Sequence, residues 1–141
     1  MPTNPDSCFS RSVPEADEKF AAAAEAAGAR TEWFEHPKAD PAGRPIGTRV
    51  AWLGPEDAEQ VALFVSGTHG NEGWAGSAIQ IDSLRRDVFA NLPSDTAVLM
   101  IHLINPWGCA WGRRENEENH DLFRDFIYYR PENRYDDSLY T

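Results

Sequence analysis

An α/β fold follows from three features of this 141-residue chain. Two short runs, 61–65 and 97–104, are apolar almost throughout, as strands covered on both faces of a sheet are. Between them, 74–91 carries apolar residues at 74, 75, 78, 79, 81, 84 and 88, a helical stripe. A strand, helix, strand unit closes right-handed and makes its two strands neighbours in a parallel sheet.

The remaining elements follow in order. Residues 1–13, rich in Pro, Ser and Asn, read as an N-terminal arm. Residues 14–28 have a helix's grammar, with Ser12 as cap, acids in the first turn, an alanine-rich body and Gly28 at the stop. Phe20 is its only large apolar residue, which predicts a peripheral, shallowly packed helix. Segments 31–36 and 48–53 carry aromatic and alternating strand patterns, separated by a Pro/Gly loop. An acidic turn, 56–60, leads into the 61–65 strand, expected inside the sheet. Beyond Asn105-Pro106 periodicity fails: 107–119 reads as loop, 121–129 as a short helical turn or an extended segment, and 130–141 brings no closing element.

Composition bounds function. Lys and Arg number 13 against 23 Asp and Glu, a formal charge of −10, which argues against nucleic acid as the main partner because phosphate neutralisation needs a basic face. Hydrophobic residues at 41% suffice for one core, and a chain of this size buries roughly 68% of its unfolded surface. Cys8 and Cys109 cannot build a disulfide framework, which points to a reducing compartment. No apolar run of about 18 residues offers a membrane span, and the first residues lack a signal peptide's pattern. A cytoplasmic location is expected.

Ligands gather at the carboxyl ends of strands in such sheets, and a dense polar cluster follows each apolar strand. After the first comes His69-Gly-Asn-Glu72, with glycines at 67, 70 and 73. Imidazole nitrogen and carboxylate oxygen three residues apart can converge on one cation; equally, the pair can cap the next helix or brace its own loop. After the second come Asn105-Pro-Trp-Gly108 and then Arg113, Arg114, Glu115, Asn116, Asn119, Asp121, Leu122, Phe123 and Arg124. The arginines and acids of that stretch also suit a solvated ion-pair surface of little energetic worth, Asp121 a turn cap, and Arg124 a bridge to Asp125 or Asp136. His102 reads as a core histidine bonded to backbone, His36 as a strand-end surface residue and His120 as a residue outside any ligand position.

Gly-Thr-His-Gly-Asn-Glu-Gly, then Asn-Pro-Trp-Gly, then Arg-Arg-Glu-Asn-x-x-Asn-x-Asp-Leu-x-Arg-x-Phe, in that order over 61–126, resemble the zinc carboxypeptidase superfamily. The likeness is nearest to its uncharacterised bacterial carboxypeptidase-like branch and more distant to the aspartoacylase and succinylglutamate desuccinylase branch. The resemblance implies a three-layer α/β/α fold with a mixed, largely parallel sheet, and metal-assisted hydrolysis of an amide or peptide bond in a small-molecule or peptide substrate. It implies that His69 and Glu72 are two of three Zn²⁺ ligands and that Asp121 is the carboxylate holding His69. Arg114 would steady the oxyanion, and Arg124 would pair with a substrate carboxylate.

Two departures stand out. Phe123 occupies the position where the family pattern has Asn, which makes that wall apolar and leaves Arg124 alone with the substrate carboxylate. The third ligand, a histidine, and the catalytic glutamate lie far downstream in the relatives, whereas 17 residues follow Arg124 here and none is His. The chain from 14 to 141 is therefore expected to be the N-terminal portion of a hydrolase domain, inactive or very weak alone, with an exposed sheet edge beyond the 97–104 strand. The alternatives are an aspartoacylase-like deacylase, a non-catalytic binding module that keeps the cleft, and loops that bind nothing.

Overall fold

The computed structural model describes residues 4–124. Helix α1 (Val13–Ala26) starts where its sequence predicts, with Ser12 Oγ accepting from the Glu15 N–H at 3.3 Å and Pro in the first turn. Gly28, at φ +75°, turns the chain into strand β1 (Arg30–Glu35). Strand β2 (Gly47–Leu53), strand β3 (Gln60–Val65), helix α2 (Gly73–Arg85), strand β4 (Thr96–His102) and the short helix α3 (Pro106–Trp111) follow. The predicted α/β class holds, with a four-stranded mixed sheet in the order β1-β2-β4-β3. Only β3 and β4 run parallel, as the crossover rule requires; the other two pairings are antiparallel.

Among the described residues the sheet has one covered face. Ala51 and Leu53 of β2 and Val98 and Met100 of β4 point, by strand alternation, toward α1 and α2. They form one core with Phe20, Ala24, Ile81 and Leu84. Each large apolar side chain buried there contributes roughly 1.5–3 kcal/mol. Arg49 fixes α1 to β2 through a bidentate pair with Asp17 at 2.6 and 2.7 Å.

Several expectations change. Helix α1 is central rather than peripheral: Phe20 is fully buried and stacks on the His102 ring at 4.3 Å, because the alanines around it let the helix approach the sheet closely. The 1–13 segment includes a short 3-10 turn, Pro5–Cys8, that delivers Cys8 into the core. Helix α2 stops at Arg85, where Asp87 takes φ +54°, and Val88 of the supposed stripe is exposed. Strand β4 stops at His102, and the next residue, Leu103, has φ +55°. Residues 107–111, the start of the segment read as loop, belong to a helix: Asn105 Oδ1 accepts from the Gly108 N–H at 2.8 Å and Pro106 occupies the first turn.

The largest correction concerns β3. It was expected inside the sheet, with the free edge beyond β4; instead β4 lies between β2 and β3, and among the described residues β3 is an edge strand. Val61, Leu63, Phe64 and Val65 are all exposed. His102 is a core histidine as expected, but its Nε2 shares a 2.8 Å hydrogen bond with the Ser77 hydroxyl rather than with backbone. Burial pushes its pKa down to about 4. Among the described residues no helix is long and apolar enough to cross a membrane. The expectations for 125–141, including a bridge from Arg124 to Asp125 or Asp136, lie outside the described residues.

Candidate functional site

The chain leaves β3 through a loop that only small residues permit. Gly67 has φ +72°, and a Cβ on Gly70 would lie 2.0 to 2.3 Å from backbone atoms of Gly108 and Arg113. The loop therefore lies directly on α3 and the segment that follows it, which brings 69–72 beside 113–124. The Asn105 amide, whose motif carried no assigned role in the sequence, ties these parts together from below. Besides capping α3, its Nδ2 donates to the Arg114 carbonyl at 3.5 Å.

On this support the two predicted clusters meet. His69 Nδ1 lies 3.1 Å from Glu72 Oε2, and His69 Nε2 lies 3.0 Å from Asp121 Oδ1. Arg114 spans the same carboxylates, donating from Nε to Asp121 Oδ2 at 3.0 Å and from Nη1 to Glu72 Oε1 at 3.3 Å. Arg124, 76% exposed, turns back on Asp121 Oδ2 at 3.3 Å. Phe123 stands edge-on to the His69 ring at 6.5 Å with its own ring 69% exposed. All six residues singled out in the sequence thus lie in one cluster.

Asp121 is its hub. Besides the three side chains, the backbone N–H groups of Phe123 and Arg124 donate to Oδ1 at 3.0 and 3.2 Å. Loss of water around the carboxyl would raise its pKa, but the hydrogen bonds from His69, Arg114 and those two amides outweigh this and hold it well below the usual carboxylate range. Asp121 therefore carries a full negative charge against the imidazole.

That charge bears on a metal. A neutral imidazole has one N–H; donated to Asp121, it leaves the Nδ1 lone pair facing the Glu72 carboxylate, two acceptors 3.1 Å apart. A proton or a cation relieves that contact. Two ligand atoms at 2.0–2.2 Å from a tetrahedral zinc are separated by roughly 3.4 Å, so the donor pair fits two corners of such a site. Glu72 sits at the start of α2 without making a side-chain cap bond, so its carboxylate is left to His69 and Arg114. The described residues contain no group of three or more His, Cys, Asp or Glu that could hold a metal. The other histidines are placed elsewhere: His102 lies in the core, and His36 Nε2 pairs with Glu117 at 3.1 Å, binding the β1–β2 loop to the 112–124 segment. His120 takes part through its backbone N–H, bonded to Asn116 Oδ1 at 2.8 Å.

No curated protein matches the chain. Among solved structures it is similar to the glutaminyl cyclase of Fimbriiglobus ruber, with 16% identity and a TM-score of 0.48 over 72% of this chain and 45% of that one. The glutaminyl cyclase of Tannerella forsythia gives 15% and 0.49 over 84% and 43%. A Zn-dependent exopeptidase of Parabacteroides distasonis gives 14% and 0.48 over 84% and 43%. The chain spans less than half the length of each of these three. Residues 9–139 match the family model described as "Protein of unknown function (DUF2817)", which is nearly the whole sequence, and the chain belongs to that family.

Proposed function

We propose that this chain carries two ligands of the metal site of a zinc-dependent amide or peptide hydrolase of the metallocarboxypeptidase type. The observation that supports it most is the bridging of His69 between Glu72 and Asp121, at 3.1 and 3.0 Å. His69 and Glu72 are the ligands. Asp121 fixes the His69 tautomer and raises its basicity, as carboxylates behind metal-bound imidazoles do. When bound, zinc lowers the pKa of a coordinated water and polarises the scissile carbonyl. In this reading Arg114 steadies negative charge on the carbonyl oxygen, and Arg124 receives a substrate carboxylate through a planar fork. Among the described residues no third His, Cys, Asp or Glu joins His69 and Glu72 in a group able to hold a metal.

Calorimetric titration of the full chain with Zn²⁺ tests this. Micromolar or tighter binding that disappears in both His69→Ala and Glu72→Ala is expected; absence of binding to the wild-type chain overturns the metal assignment. A second reading, a non-catalytic binding module, draws on Arg114 already occupying Glu72 at 3.3 Å and on the exposed Phe123. It predicts ligand binding insensitive to Zn²⁺.

A further inference from the structure

Ser66 and Gln80 are buried polar residues that neither the sequence motifs nor the cluster around His69 includes. Beyond the ends of β3 and β4 the two chains go on pairing, through Ile104 N–H to the Ser66 carbonyl at 2.9 Å and Asn105 N–H to the Gly67 carbonyl at 3.1 Å. Between the end of β4 and these positions Leu103 adopts φ +55°, a left-handed conformation that leucine rarely takes and that its surroundings must hold in place.

Side chains hold it. The Leu103 N–H donates to Ser66 Oγ at 3.0 Å, and its carbonyl accepts from Thr48 Oγ1 at 2.9 Å. The Ser66 hydroxyl passes its proton toward Gln80 Oε1 at 2.8 Å, and Gln80 Nε2 donates to the Phe64 and Ile101 carbonyls at 3.1 and 3.3 Å. The chain of donors is closed, and it joins α2 to the last residues of both parallel strands. Leu103 also presses on the departing loop: a Cβ on Gly67 would lie 2.8 Å from Leu103 Cα. Two residues later comes His69.

We propose that Ser66 and Gln80 are positioning residues for His69 and Glu72. They hold Leu103 under Gly67, and so set the direction in which the loop carries the imidazole toward Glu72 and Asp121. The consequence for zinc rests on the function proposed above; the consequence for the loop does not.

The test is made on the full ¹⁵N-labelled chain with Ser66→Ala and Gln80→Leu, and with Ile81→Val in the same helix as a control for lost stability. Two quantities are read: the amide shifts of 68–72 and of Phe123, which bonds Asp121, and the affinity for Zn²⁺. Both variants are expected to unfold cooperatively yet to shift or broaden those amides, and to weaken Zn²⁺ binding about 10-fold or more, the scale seen when support of a metal ligand is lost. The double variant is expected to be no worse than Gln80→Leu alone, since the two act as one unit. The control keeps both readouts. Should Gln80→Leu not fold, Ser66→Ala, which removes a single oxygen, decides. Folded variants with wild-type amides at 68–72 overturn the proposal. A wild-type chain that binds no Zn²⁺ overturns the proposed function instead, and the amide shifts then judge the positioning role alone.

Discussion

The two faces of one sheet, built from similar residues, have opposite fates. Toward α1 and α2, Ala51, Leu53, Val98 and Met100 are buried beneath Phe20 and Ile81. On the other face Val50, Trp52, Leu99 and Ile101 are half-buried, and Val61, Leu63 and Val65 at the β3 edge are exposed. Apolar composition is therefore a statement about what a strand can bury, and the neighbouring layer decides whether it does. The covered face owes its density to an alanine-rich helix that places one large ring, Phe20, against His102.

The contrast can be broken at its centre. Phe20→Ala, which empties the covered face, is expected to cost about 3–5 kcal/mol in urea unfolding. Leu63→Ala on the open face should cost well under half as much, and equal losses would show that the two faces are energetically alike. The pH dependence should also come from the covered face. His102 has its pKa lowered to about 4 by burial, so the folded state binds that proton less tightly than the unfolded chain. Its contribution is complete above about pH 6.5 and is lost as pH falls through 6.5 toward 4. The urea midpoint should reflect about 2–3 kcal/mol lost between pH 7.5 and 4.5, and His102→Gln should flatten that slope. The smallest effect on stability belongs to Leu63→Lys, within about 0.5 kcal/mol of wild type. Its effect on association is the larger one: a lysine blunts an exposed strand edge, so sedimentation velocity should find less self-association than in the wild-type chain.

What the sequence disclosed follows the same division. The parallel β3–β4 pair, the Ser12 cap and the meeting of His69, Glu72, Arg114, Asp121, Phe123 and Arg124 were legible, because periodicity, capping chemistry and ordered motifs are local or nearly so. The place of β3 in the sheet was not, since an apolar run reads the same at an edge as in the middle. Helix α3 escaped notice because six residues show no period; Asn105-Pro106, an N-cap followed by a first-turn proline, was the available signal. Ser66 and Gln80 left no trace, because their importance depends on the backbone of Leu103, 37 residues beyond Ser66.

Gly70 is the point where the two halves of the site touch. With Gly108 and Arg113 backbone where its side chain would be, position 70 admits no side chain while the 69–72 loop rests on the chain that carries Arg114. The meeting of His69 and Glu72 with Arg114 thus depends on the absence of one carbon atom at a residue that does none of the chemistry.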